Sequence, residues 1–96
     1  MMKSTGNKKL TRKVTIPNEL GLHARAGGKI AQIAEEARFG VFIMKNGKET
    51  DAKSLLDVVS LYCPCGTEVT VRISDPADTK VLNRIVRLIE SGFGEL

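Results

Sequence analysis

The sequence predicts an α+β fold in which helices cover one face of an antiparallel sheet and the other face meets water. Two segments alternate between apolar and polar residues, as half-buried strands do. Other segments repeat apolar residues at helical spacing, and an Asn-Gly pair separates two further strand-like runs. The predicted order is strand, helix, strand, strand, helix, strand, helix within 96 residues, which is enough for one small domain.

The first strand and the first helix lie on either side of a short loop. The strand is "LTRKVTIP" (10–17), where Pro17 ends the pairing and one face carries Leu10, Val14 and Ile16. The helix is "ARAGGKIAQIAEEA" (24–37), and its apolar face is expected to carry Ile30, Ile33, Ala34 and Ala37.

A hairpin and a short helix follow. "FGVFIMK" and "KETDA" read as two strands joined by Asn46-Gly47, a pair that suits a type I′ turn. "SLLDVVSLY" then predicts a helix with Ser54 as its N-cap and Asp57 three residues later, a variant of the capping box.

The last strand and the last helix complete the order. "TEVTVRIS" (67–74) alternates again and turns three apolar side chains inward, Val69, Val71 and Ile73. In "DPADTKVLNRIVRLIESG" (75–92), Asp75 is the expected cap, Pro76 the first helical residue and Gly92 the end. Asp78 is expected near the positive end of this helix. The apolar stripe comprises Val81, Leu82, Ile85, Val86, Leu88 and Ile89.

Charge and composition argue against nucleic-acid binding and membrane insertion. The net charge is +4, but three lysines lie within residues 1–9, which leaves +1 for the remainder. We expect residues 1–9 to form a disordered basic tail and residues 10–96 to form the domain, whose surface lacks the charge of a phosphodiester groove. The chain has no apolar run of membrane-spanning length and no signal-peptide pattern, so we expect a cytoplasmic protein.

The two cysteines are read as free thiols at a turn. Cys63 and Cys65 form "YCPCG", where a disulfide across one residue is strained and a structural zinc site lacks ligands. A redox role, or a metal site shared with His23, is conceivable, but the spacing does not require either. We therefore expect no metal and no cofactor.

His23 is the only histidine, and it stands where the first helix begins. A helix starting at Ala24 or Arg25 leaves backbone N–H groups unpaired, and these groups attract an anion. The same field favours the neutral, nucleophilic imidazole. The guanidinium of Arg25 can bind phosphate oxygens, so the three features together suit acceptance and release of a phosphoryl group. From these residues alone, a histidine that merely caps the helix or lies solvated on the surface is about as good an interpretation.

Larger motifs decide between these interpretations. "GLHARA", "NGKETDAKSLLDVVSL" and "GTEVTV" occur in this order, and together they resemble the HPr family of histidine-containing phosphocarrier proteins of the phosphotransferase system. The resemblance covers residues 10 to 92. It implies the open-faced sandwich of that family, with three helices on one side of four antiparallel strands.

The resemblance also implies functional residues and partners. His23 matches the histidine that takes a phosphoryl group from enzyme I on Nδ1 and passes it to an enzyme II domain of the EIIA type. Arg25 matches the arginine that steadies the phosphoryl charge, and the backbone of Ala24 and Arg25 would bind the phosphate. Ser54 matches the serine that HPr kinase/phosphorylase modifies in many bacteria. Such a protein carries a group and does not turn over a substrate by itself, and we expect a monomer.

Ala26 departs from the family motif, which usually has proline after the arginine. Alanine permits the same backbone geometry. Gly27 and Gly28 follow, and each weakens a helix interior by about 1 kcal/mol relative to alanine. We therefore expect a softer helix start without loss of function.

The short helix is predicted to carry the partner surface. Its apolar residues exceed what one stripe can bury, so we expect Leu55, Leu56 and Val59 to form the apolar centre of a transient interface near His23. A phosphate on Ser54 would add negative charge beside this surface without unfolding the helix.

Two other function classes compete with the carrier. One is a regulatory protein that binds a transcription factor or an enzyme after phosphorylation of Ser54. The other is a small RNA-binding sheet domain, which needs aromatic stacking platforms on the open face of the sheet. Neither cleanly alternating strand contains an aromatic residue.

Overall fold

A computed structural model describes residues 10–95, and it has the predicted α+β architecture. Residues 1–9, where we predicted a disordered tail, lie outside the described part of the chain. The sheet contains four strands, β1 (Thr11–Thr15), β2 (Val41–Lys45), β3 (Lys48–Asp51) and β4 (Glu68–Ile73). They are ordered β1-β4-β2-β3, and every neighbouring pair is antiparallel.

Three α-helices pack on this sheet, α1 (Ala24–Ala34), α2 (Leu55–Val59) and α3 (Thr79–Glu90). Two 3₁₀ turns, Pro76–Asp78 and Gly92–Gly94, precede and follow α3. In the described range no helix has the length and apolar character to cross a bilayer.

The core lies between the inward face of the sheet and the apolar stripes of α1 and α3. Alternation in β4 turns Val69, Val71 and Ile73 into this core, as predicted. The largest fully buried side chains from the rest of the fold are Ile16, Ile30, Val41, Ile43, Val58, Ile85, Val86, Ile89 and Phe93. Packing of these side chains removes the apolar surface whose burial stabilises the fold.

The predicted turns and caps are also present. Asn46 and Gly47 both have positive φ, at 49° and 83°, which is the backbone of a type I′ hairpin. The hydroxyl of Ser54 accepts a hydrogen bond from the backbone N–H of Asp57 at 3.3 Å and so caps α2. Asp75 accepts one from the N–H of Ala77 at 2.8 Å.

Both long helices differ from the prediction at one end. Helix α1 ends at Ala34, because the N–H groups of Glu36 and Ala37 bond to carbonyls three residues back and tighten the chain, so Ala37 lies beyond the helix. Asp75 and Pro76 open a 3₁₀ turn, and the α-helix itself begins at Thr79.

Asp78 has a structural role that its sequence position did not indicate. Its carboxylate is 3% exposed and accepts hydrogen bonds of 2.8 Å from the backbone N–H groups of Arg38 and Phe39. The carboxylate therefore ties the loop after α1 to the start of α3, and these bonds offset the cost of burying it.

Gly27 explains part of the unusual "AGG" in α1. A Cβ atom at this position would lie 3.0 Å from Cδ1 of Leu55 and 3.3 Å from Cγ2 of Val59, both on α2. A Cβ atom at Gly28 would have no neighbour within 4 Å. Gly27 thus lets α1 approach α2 closely, whereas Gly28 only weakens the helix.

We predict opposite consequences for alanine at these two positions. Gly28→Ala should raise the free energy of unfolding by about 0.5–1 kcal/mol, because alanine loses less backbone entropy in a helix. Gly27→Ala should gain less or lose stability, because its methyl group crowds Leu55 and Val59. Urea unfolding of both variants measures the difference, and equal gains would contradict the packing role of Gly27.

Candidate functional site

The loop before α1 is held against the turn that follows α2. Gly21 has φ of +69°, and a Cβ atom there would lie 2.5 Å from the carbonyl oxygen of Cys63. The backbone N–H of Leu22 donates to that same oxygen at 2.8 Å. Only glycine fits this contact without strain, and the contact fixes the backbone one residue before His23.

His23 is the N-cap residue of α1. Its backbone is extended, with φ −89° and ψ −179°, and its carbonyl accepts the first helical hydrogen bond, from Gly27 at 2.8 Å. The imidazole makes no capping hydrogen bond and is 24% exposed. The interpretation of His23 as a side-chain cap is therefore wrong, and the ring is available for another interaction.

The first turn of α1 supplies the groups expected around a phosphate. Ala24 and Arg25 are both exposed, and within residues 10–95 their backbone N–H groups have no hydrogen-bond partner. The guanidinium of Arg25 is 66% exposed and lies on the same side as the His23 ring, since both contact one carboxylate. Unpaired amides, a helix N-terminus and a guanidinium together attract an anion.

That carboxylate belongs to Glu95, a residue that the sequence reasoning missed. Its Oε2 atom lies 2.5 Å from Nε2 of His23 and 3.6 Å from a terminal nitrogen of Arg25. Its Oε1 atom accepts a hydrogen bond of 2.8 Å from the side-chain amide of Asn18. Chiefly because of the bond from Asn18, and then that with His23, the pKa of Glu95 lies below its usual value, so the side chain is ionised at neutral pH.

One sequence signal did indicate that the chain folds back after α3. Gly92 ends α3 with φ of +70°, and an aromatic residue, Phe93, follows it. An apolar residue directly after a helix-ending glycine commonly packs back onto the helix. Phe93 is fully buried, and the turn after it brings Glu95 to the N-terminus of α1.

An open cleft of about 330 Å³ lies beside the imidazole. It is bounded by the loop before α1 and by the end of α2, with His23 in its wall, and its lining residues are Glu19, Leu20, Leu22, His23, Val59, Tyr62, Cys63 and Pro64. Two apolar lining residues, Leu20 and Tyr62, are mostly exposed, at 65% and 74%. The surface next to His23 is therefore concave and partly apolar.

The three predicted partner residues lie outside the buried core. Leu55 and Leu56 are exposed and Val59 is partly buried, whereas Val58 and Leu61 are core residues. Ser54 caps the same helix at its N-terminus. The contact of Leu55 and Val59 with Gly27 places α2 directly against α1, the helix that begins after His23.

The open face of the sheet does not offer a free stacking platform at Phe42. This face does contain an aromatic residue, because Phe42 lies between the inward-facing Val41 and Ile43 of β2. The guanidinium of Arg72 covers its ring at 4.4 Å, and Glu49 holds Arg72 through two hydrogen bonds of 2.7 and 3.1 Å. The ion pair with Arg72 lowers the pKa of Glu49. This arrangement argues against RNA stacking at Phe42.

The two cysteines are free thiols with different surroundings. Cys63 is 3% exposed, and burial raises the pKa of its thiol although Lys45 opposes the shift. Cys65 is exposed, with Sγ 3.6 Å from the carbonyl oxygen of Pro17. Among residues 10–95, no three potential metal-ligating side chains (His, Cys, Asp or Glu) cluster as a metal site requires.

Comparisons with known proteins agree with this geometry. A family model described as "PTS HPr component phosphorylation site" matches residues 10–91. Phosphocarrier protein HPr of Cupriavidus necator is 38% identical over 86 residues, which cover 90% of this chain and 97% of the relative. The crystal structure of HPr-C-His from Thermoanaerobacter tengcongensis superposes with a TM-score of 0.83 at 30% identity and covers 90% and 97% of the two chains. An HPr dimer from the same organism gives 0.70 at 32% identity, covering 85% of this chain and 94% of that one.

The different burial of the two thiols predicts selective alkylation. Iodoacetamide at neutral pH should modify Cys65 in the folded protein and should reach Cys63 only after unfolding, because a buried thiol with a raised pKa forms little thiolate. Intact mass measurement of Cys63→Ser and Cys65→Ser, with and without urea, separates the two sites. Comparable native alkylation of both variants would contradict the prediction.

Proposed function

This chain belongs to the HPr family of phosphocarriers of the phosphotransferase system, and from that premise we propose that it takes a phosphoryl group from enzyme I on Nδ1 of His23. It then passes the group to an enzyme II domain of the EIIA type. The group is carried between two partner proteins, so the chain does not complete a catalytic cycle by itself.

The observation that carries this proposal is the position of the only histidine. Its ring is partly exposed at the start of α1, beside the guanidinium of Arg25 and the N–H groups of Ala24 and Arg25, which have no hydrogen-bond partner among residues 10–95. A phosphoryl group on the ring would meet these donors, and their charge would stabilise it while it is transferred. Ala26 in place of the usual proline supports the same first turn, because α1 still begins at Ala24.

The exposed apolar residues next to His23 support docking of both partners on one surface. Leu55 and Leu56 would form its apolar centre together with Val59, which also lines the cleft containing His23. A carrier must bind a donor and then an acceptor, so a small and exposed surface that forms transient complexes suits it better than a large obligate interface. We propose that the free protein is a monomer and works in the cytoplasm.

Ser54 is proposed as a regulatory site for an HPr kinase/phosphorylase. The serine already caps α2, and a phosphate at a helix N-terminus is favourable, so modification would leave the helix intact. The added charge would stand directly before Leu55 and Leu56 and would disfavour the docked complex. The second candidate function, regulation of a transcription factor or an enzyme through phosphorylated Ser54, uses the same position.

Phosphorylation by enzyme I tests the proposal. The protein incubated with enzyme I and phosphoenolpyruvate should gain one acid-labile phosphate, which intact mass measurement detects, and His23→Ala should gain none. Arg25→Ala should be phosphorylated about tenfold or more slowly because its charge stabilises the transferring group, whereas Arg38→Ala, a change at an exposed arginine after α1, should match the unmodified chain. The absence of an adduct with a competent enzyme I would contradict the carrier function.

A charge at position 54 should slow transfer without unfolding the protein. We compare Ser54→Asp with Ser54→Asn, since both residues cap helices well and differ in charge. The aspartate variant should be phosphorylated on His23 more slowly than the asparagine variant, with midpoints of thermal unfolding nearly equal to that of the unmodified chain. Equal rates for the two variants would remove the regulatory role of Ser54.

A further inference from the structure

We propose that Glu95 is a positioning residue that keeps the proton of the His23 ring on Nε2 and so leaves Nδ1 as the nucleophile. The observation behind it is the 2.5 Å contact between Oε2 of Glu95 and Nε2 of His23, made by side chains only 18% and 24% exposed. The inference deepens the proposed carrier function and rests on it, because it assigns the residue that keeps Nδ1 unprotonated and ready to take the phosphoryl group.

The direction of the hydrogen bond follows from the charge of Glu95. The lowered pKa keeps this carboxyl group ionised at neutral pH, and an ionised carboxylate only accepts hydrogen bonds. Nε2 of His23 must therefore donate and carry the proton. In a neutral imidazole the other nitrogen, Nδ1, then has the free lone pair.

Asn18 fixes the orientation of the carboxylate. This fully buried residue donates from its amide nitrogen to the carbonyl oxygen of Gly21 and to Oε1 of Glu95, both at 2.8 Å. Both partners can only accept, so the amide cannot be flipped without losing two bonds. Its own oxygen is buried with no hydrogen-bond partner among the described residues, a cost that the two donated bonds offset.

The segment 92–95 is held in place at several points. Phe93 is fully buried, and its carbonyl oxygen accepts a hydrogen bond of 2.7 Å from Nζ of Lys29 on α1. The backbone N–H of Glu95 donates to the carbonyl of Gly92 at 2.9 Å. Glu95 thus lies on a folded turn, which lowers the entropic cost of holding its carboxylate against the ring.

This arrangement suits each step of transfer. The Nδ1 lone pair forms the nitrogen–phosphorus bond while the bond between phosphorus and the phosphorylated donor breaks, and its electron pair leaves with the donor. The proton on Nε2 stays in place, so the ring becomes positively charged, and the Glu95 carboxylate stabilises that charge. Transfer to the acceptor reverses the same changes, and no proton has to leave the ring.

Glu95→Gln is the sharpest test, because Asn18 dictates how a glutamine would lie. The amide of Asn18 would take the glutamine oxygen, so the glutamine NH₂ group would face Nε2 and require it to accept. The proton should then move to Nδ1. Nitrogen-15 NMR of the neutral ring should show protonated Nε2 in the unmodified chain and protonated Nδ1 in the variant, and phosphorylation by enzyme I should slow by about tenfold or more.

Glu90→Gln is the matched control, since it removes the same charge from an exposed position on α3 and should leave the ring proton and the rate unchanged. Thermal unfolding of both variants checks that they are folded. An unchanged ring proton in Glu95→Gln overturns the proposal, and so does a shifted proton with an unchanged rate. Faster phosphorylation also overturns it, because Glu95 would then compete with the phosphoryl group.

The NMR measurement requires no partner protein, which separates the two proposals. A chain that has its proton on Nε2 but accepts no phosphate from a competent enzyme I overturns the carrier function and still supports the placement of the proton. A chain that is phosphorylated equally well with or without Glu95 keeps the carrier function and overturns the role of Glu95.

Discussion

The site depends on one close backbone approach, that of Gly21 and Leu22 to the carbonyl oxygen of Cys63. This oxygen accepts the N–H of Leu22 at 2.8 Å, and no side chain fits at Gly21. The contact joins the loop before α1 to the turn after α2. As a result, His23 lines one cleft together with Val59 and Tyr62, although more than 30 residues of sequence separate the histidine from these two. The histidine and the docking surface that we propose thus share a single rigid frame, as positioning of a transferring group requires.

The segment made of α2 and the turn after it divides its apolar residues between the core and the exposed surface. Val58 and Leu61 are buried, whereas Leu56 and Tyr62 remain mostly exposed. Lys45 supports the end of this segment by donating to the carbonyls of Leu61 and Tyr62 at 3.1 and 2.5 Å. Such bonds satisfy carbonyl groups that have no partner at the end of a short helix. They fix the backbone that carries the exposed side chains.

The sequence predicted those parts of the molecule that local patterns control. Alternation located β4, Asn46-Gly47 located the hairpin, and the hydroxyl of Ser54 located the start of α2. His23 and Arg25 were named as candidate site residues from helix-start chemistry and from family motifs. Asp78 lies at the start of α3, as predicted, but its role in holding the loop after α1 was missed because its partners are backbone amides about 40 residues away in sequence, which no local pattern reveals.

Glu95 also escaped prediction, because its partner His23 lies far away in sequence. The position of Glu95 shows how charge is distributed at the site. In the transfer that we propose, Arg25 and the first amides of α1 supply positive potential for the phosphoryl group, while Glu95 supplies negative potential at Nε2 of the ring. Groups of both charges around the ring suit an imidazole that becomes cationic as it binds an anion. The single histidine of this chain needs both, because a positive site alone would hold the phosphate but disfavour the charged ring that carries it.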